Sequence, residues 1–324
     1  MTTTPADTSG GGTSVGGTTA GGATAGGTPS APGGPGGPGS PGAPGSPGPP
    51  GVRTWREFRR SPIGVGSLVV LLLLAVVALA APLIAAFPRG YGEAVLAPPS
   101  TTHWFGTDDL GRDLFAQVVW GTRVSLTVGL GASLLAIVAG ALIGMAAAYF
   151  PRIDTAVGLV VDLCLSLPIL PLMILVAALA GPGMGTLVVV IAAFSWPEVA
   201  RVVRSQALSV VRLPYMDAAR VIGGSHGWII RRHLLPAVAP VVAVSVVLTA
   251  SRAVLTEASL SFLGLGDPDS WSWGTILHNA QRSGSLASAW WTTLFPSLAI
   301  LTLVVAATLA SFAYNDARNP RMRK

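Results

Sequence analysis

The sequence predicts an all-α membrane protein of six transmembrane helices, with both termini on the cytoplasmic side. Three observations carry this. Of 324 residues, 51% are hydrophobic and only 10% charged, with a mean hydropathy of +0.62; a soluble domain has about a quarter of its residues charged. Several apolar runs reach the roughly 20 residues that a helix needs to cross a bilayer. The basic residues sit in alternate connecting segments, as the positive-inside rule expects. The formal net charge of +6 is therefore a topology signal, not a sign of nucleic-acid binding.

Residues 1–52 are Gly, Thr, Pro, Ser and Ala with almost no apolar bulk. They cannot bury enough surface to offset ordering entropy and are expected to be disordered. Gly33, Gly36, Gly39, Gly42, Gly45, Gly48 and Gly51 recur every third residue, with Pro35, Pro38, Pro41, Pro44, Pro47 and Pro50 between them. Collagen fits this Gly-x-Pro period but needs three chains, so a polyproline-like spacer fits better. No apolar stretch follows Met1, so no secretory leader is expected.

Arg53, Arg56, Arg59 and Arg60 precede the first predicted span, 63–87. Together with an outer segment it makes up 53–123. Five further spans, near 124–149, 157–180, 186–203, 237–257 and 291–313, form a core over 124–313 with a cytoplasmic loop at 204–236. A basic tail follows at 314–324. Pro168 and Pro171 should kink the third span, because each removes a backbone donor. Gly140 and Gly144 form a small-xxx-small pattern that allows close helix contact. Fifteen basic residues fall on the proposed inner side, Arg201 and Arg204 among them, against four on the outer: Arg89, Arg112, Arg123 and Arg282. The single cysteine, Cys164, excludes an internal disulfide and reads as a small buried hydrophobe.

Residues 214–236, PYMDAARVIGGSHGWIIRRHLLP, are polar and basic between two long apolar runs. Pro214 can start a short helix, and Asp217 suits its positive end. Ala218 and Ala219 lack bulk, so another surface can approach. Gly223 and Gly224 can end the helix in a left-handed conformation, and Ser225 can cap the next one. Pro236 then falls in the first turn of the fifth span. The result is a short surface helix joined to a membrane helix, a part suited to passing on motion.

The pattern Ala218-Ala219-x3-Gly223-x11-Leu235-Pro236 resembles the coupling loop of ATP-binding-cassette (ABC) importer permeases. Asp217 stands where many members have Glu. His103-Trp-Phe-Gly-Thr-Asp-Asp-Leu-Gly-Arg-Asp113 is similar to the outer segment of the C-type permease subunit of dipeptide, oligopeptide and nickel importers. Thr256-Glu-Ala-Ser-Leu-Ser-Phe-Leu-Gly-Leu-Gly266 is a third match. The resemblance covers about residues 55–318. It implies a type I importer permease fold in the plasma membrane, working with a second, B-type permease subunit, two ABC ATPase subunits docked on the coupling loops, and an extracytoplasmic substrate-binding protein. Solutes of such systems include peptides, and also nickel chelates, haem and glutathione. The resemblance makes Asp217, Ala218, Ala219, Gly223, Gly224, Leu235 and Pro236 ATPase-coupling residues. A bulky residue at Gly223 or Ala219 should then lower uptake while the binding protein still captures substrate.

No cofactor is expected on this chain. Its only lysine is Lys324, so it cannot supply the lysine of a phosphate-cradling P-loop, and ATP and magnesium fall to the partner ATPases. Gly223-Gly224-Ser225-His226-Gly227 fits the nucleophile-elbow spacing but lies between helices, where that elbow does not form. His103, His226, His233 and His278 have no metal-ligand spacing, so no metal is expected. An ATPase-independent secondary transporter is the alternative, and it leaves the coupling loop unexplained. Asp162, Arg252 and Glu257 fall inside spans, where two roles stay open: lining the pathway or pairing between helices. Trp271 and Trp273, with Asp267 and Asp269, are candidates for docking the binding protein; interfacial anchoring also explains the tryptophans.

Overall fold

The computed structural model describes residues 61–286 and 288–318. The disordered-tail and Gly-x-Pro expectations, and residues 319–324 of the basic tail, lie outside the described residues. Five helices are long and apolar enough to span a membrane: α1 (Pro62–Ile84), α2 (Leu114–Tyr149), α5 (Met184–Val211), α7 (His226–Phe262) and α9 (Trp291–Arg318). The third predicted span is not one kinked helix. It is α3 (Pro151–Ser166) followed by α4 (Ile169–Ala180), bent by 87° at Leu167 and Pro168. Pro168 removes the donor that would continue α3 and pushes Leu167 into extended backbone. Two short helices complete the fold, α6 (Pro214–Val221) and α8 (Trp273–Arg282).

Three boundaries differ from the sequence expectation. The second span begins at Leu114, ten residues early, because Asp113 caps it by accepting the Ala116 N–H at 2.9 Å. The fourth runs on to Val211, so Arg204 lies within the helix with Arg201 and not in the loop expected to start at 204. The fifth does not start afresh at Pro236; a π-turn at Ile230–Leu234 carries the helix through from His226.

At the centre, α2 and α5 pack closely. A Cβ added at Gly140 would lie 2.7 Å from the Trp196 carbonyl oxygen, and one at Gly144 would lie 2.6 Å from that of Ala200. The small-xxx-small pattern thus has α5 as its partner. Gly144→Leu is expected to pry the two helices apart. Overpacking of this kind costs about 1–3 kcal/mol, and a lowered thermal midpoint of the detergent-solubilised protein would show it. Among the described residues three apolar clusters form: one at the ends of α2, α5 and α7 beside α6, one at the opposite end with Trp271, Trp273 and Trp291, and one where α4 meets α2, α5 and α7.

Candidate functional site: an elbow, an outer clasp and intramembrane charges

The α6 elbow is built from the loop outward. Pro214 occupies the first turn, as its fixed φ and missing N–H allow. Met216 and Ala219 face inward and are buried at 0% and 5% exposure, against a cluster holding Tyr149, Val203, Ala207, Ile229 and Leu234. The helix ends in a Schellman motif: the Gly224 N–H bonds the Ala219 carbonyl at 3.1 Å and the Gly223 N–H bonds that of Arg220 at 3.0 Å. Gly223 has φ +83°, which only glycine adopts cheaply. Ser225 then caps α7 by accepting the Trp228 N–H at 3.4 Å.

This geometry divides the coupling residues into two groups. Asp217, Ala218 and Gly223 are exposed, whereas Ala219 packs inward, so its small size serves the fold and not a partner's approach. Leu235 and Pro236 lie on the outer face of α7, and the buried neighbour is Leu234. Sequence reasoning passed over Val221 and Ile222, which are 86% and 79% exposed at the tip. Two bare β-branched side chains just before a Gly-Gly turn were the available signal. The elbow is tied to α2 by Tyr149, whose hydroxyl lies 2.9 Å from His226 Nδ1 and whose ring lies under the Arg220 guanidinium.

On the opposite end, the 88–113 segment folds into a clasp. Asp108 is its hub. One carboxylate oxygen accepts the N–H groups of Leu110 and Arg112; the other accepts Arg112 Nε and Gln117 Nε2, both at 2.7 Å. Asp113 also meets His103 Nδ1 at 2.9 Å. Gly92 and Gly111 cross so closely that a Cβ on Gly92 would lie 2.1 Å from the Gly111 carbonyl oxygen. Trp291 Nε1 donates to the Thr107 carbonyl, Trp271 Nε1 to that of Pro88, and Arg112 stacks on the Trp271 ring at 4.5 Å. Trp271 and Trp273 are therefore internal, with 8% and 0% exposure, and do not offer a docking surface. Their indoles consolidate the clasp instead of anchoring at a lipid interface. Asp269 is exposed and Asp267 half-buried on the loop beside them.

The three intramembrane candidates separate. Glu257 is 1% exposed and accepts hydrogen bonds from Ser125 Oγ at 2.9 Å and Ser261 Oγ at 2.7 Å. The Trp273 N–H in turn reaches Ser125 Oγ at 3.3 Å, so this polar knot joins α2, α7 and α8 inside the chain. Glu257 is therefore enclosed by this chain's own helices. Asp162 pairs with Arg201 and Arg252 pairs with Glu198, linking α3 and α7 to α5. A third pair, Arg204 with Asp154 at 2.6 Å, again joins α5 to α3.

Comparison with known proteins identifies the family of this chain. Residues 136–324 match the family model of binding-protein-dependent transport system inner membrane components, and residues 50–99 match the N-terminal TM domain of oligopeptide transport permease C. The chain is 37% identical over 274 residues to a putative peptide transport system permease protein of Brucella suis, covering 83% of this chain and 90% of that one. It is 34% identical over 276 residues to a dipeptide transport system permease protein of Bacillus subtilis, covering 83% and 85%. It is 35% identical over 274 residues to a glutathione transport system permease protein of Pectobacterium atrosepticum, covering 83% and 90%. The chain, a multi-pass membrane protein whose described residues fold into helices with a short elbow helix between α5 and α7, belongs to the family of binding-protein-dependent transport system inner membrane components.

Proposed function

We propose that this chain is one of two permease subunits of an ATP-driven ABC importer that carries peptides across the plasma membrane. The carrying observation is the elbow: an exposed apolar tip, Val221 and Ile222, on a helix whose inner face is locked into the membrane core. Counting α3 and α4 as one span gives an even number of crossings and so both termini on one side, and the excess of basic residues supports the cytoplasm as that side. The elbow then lies in the cytoplasm and the clasp faces outward. Two ATPase subunits bind ATP and magnesium and seat the elbows of this subunit and its B-type companion. A substrate-binding protein delivers solute at the outer face, where Asp267 and Asp269 remain available to it. The peptide assignment draws on the names of the relatives, a peptide and a dipeptide transport system permease protein. Glutathione, itself a tripeptide, is the second solute that one of them favours.

The test is co-purification followed by transport. The tagged chain should bring down an ATPase and a second permease. In vesicles whose clasp side faces out and meets the loaded binding protein, di- and tripeptides should enter only with ATP enclosed inside, on the elbow side. Nickel chelates, haem and glutathione complete the panel. Transport by this chain alone, without an ATPase, would overturn the proposal.

A further inference from the structure

Two ion pairs between the spanning helices are exposed instead of hidden. Glu198 and Arg201 are three residues apart in the middle of α5, so they share one face. Glu198 pairs with Arg252 of α7, and Arg201 pairs with Asp162 of α3. The side chains of Arg252, Glu198, Arg201 and Asp162 are 66%, 49%, 54% and 68% exposed. The neighbouring Arg204–Asp154 pair is only 31% and 28% exposed. Below Arg201 the same face of α5 continues with exposed Ser205 and Ser209. Charges at this depth are expelled from lipid and turn toward protein or a water-filled cavity. The polar stripe therefore marks the side of the bundle that lipid does not cover.

Two details say what that side faces. Across α7, α5 and α3 the signs alternate, positive, negative, positive, negative, in the order Arg252, Glu198, Arg201, Asp162. Among the described residues each of the two arginines makes a single side-chain hydrogen bond, through one terminal nitrogen. A guanidinium has five N–H donors, so most of each fork stays open to an incoming carboxylate. A purely structural pair would be enclosed and more fully satisfied.

We infer that Arg252, Glu198, Arg201 and Asp162 form a charged band on the wall of the solute pathway, where they replace water around the termini of a zwitterionic solute. This rests on the importer reading given above. The solute's carboxylate meets an arginine and its ammonium meets Glu198 or Asp162. The alternation lets either end lead, and side chains of varied chemistry pass because only termini are held.

The experiment uses the complete transporter in vesicles with dipeptide-loaded binding protein. Cys164→Ser gives a cysteine-free subunit, and Glu198→Cys or Asp162→Cys is then probed with a charged, membrane-impermeant methanethiosulfonate. Labelling that dipeptide slows in one nucleotide state supports the band; no labelling in any state means that protein covers the stripe, and overturns it. In parallel, Glu198→Gln with Arg252→Gln keeps a neutral hydrogen-bonding pair between α5 and α7. Dipeptide uptake should fall about tenfold, the loss of one charge-assisted hydrogen bond, while binding-protein-stimulated ATP hydrolysis persists. Uptake at the parent rate overturns the band and leaves the importer reading intact. Absence of stimulated hydrolysis in the parent complex would instead sink the importer reading itself.

Discussion

Replacing Val221 and Ile222 together with glutamate is expected to abolish uptake while leaving the protein folded and the binding protein able to capture solute. Both side chains stand clear of the core, so the change removes nothing that α6 uses to hold itself. The inner face, Met216 and Ala219, keeps its packing. An apolar tip seated in an ATPase cleft would lose about 1.5–3 kcal/mol per buried side chain, and two unpaired carboxylates would add a desolvation cost. The ATPase should therefore no longer co-purify, and ATP hydrolysis should become insensitive to the binding protein. Retained co-purification and uptake would show that the tip is idle. A bulky residue at Ala219 is a poorer probe. It also lowers uptake, but by disrupting the cluster around Tyr149, so loss of fold and loss of coupling would be confounded. Gly223 is limited in the same way by its positive φ.

Asp108→Ala is expected to unfasten the outer clasp. The carboxylate accepts four hydrogen bonds, including that of the mostly buried Arg112. Removing one partner of a buried ion pair costs about 3–5 kcal/mol, because the arginine is left uncompensated. Asp108→Asn should be milder: it retains one acceptor oxygen but loses the charge. Thermal unfolding in detergent should rank parent, Asn and Ala in that order. Trypsin added from the outer side should cut at Arg112 in the alanine variant first. If the three unfold together, the clasp carries no stability.

Much of the elbow was legible because its signals are local. Pro214, the left-handed Gly223 and the Ser225 cap each act within four residues, so spacing alone places them. The break at Pro168 was legible as a bend for the same reason, although not its size. What spacing could not supply were long-range partners. The first turns of α2 fell outside the predicted span, yet Gln117 is satisfied by Asp108 from the clasp and Thr122 by the Val118 carbonyl. Trp271 and Trp273 looked like interface anchors because aromatic residues near a span usually are, and only the folded clasp turns them inward. The inward turn of Ala219 depends on the crossing of α6 over α2 and α5. The partners of Asp162 and Arg252 sit 39 and 54 residues away.

The helix that leaves the elbow runs continuously from His226 and is held at both ends, by Ile229 and Leu234 in the cluster under α6 and by the Glu257–Ser125 bond at the far end. From Ile229 to Glu257 it measures about 42 Å at 1.5 Å per residue. Pivoting by about 10° around the far end sweeps the inner end through about 7 Å, more than one helical pitch. A small rotation about the Glu257 end would therefore be read out as a large stroke at the elbow, carried there together with the cluster that packs Ile229 and Leu234. Loosening that fulcrum, not only blunting the elbow, would spoil the stroke.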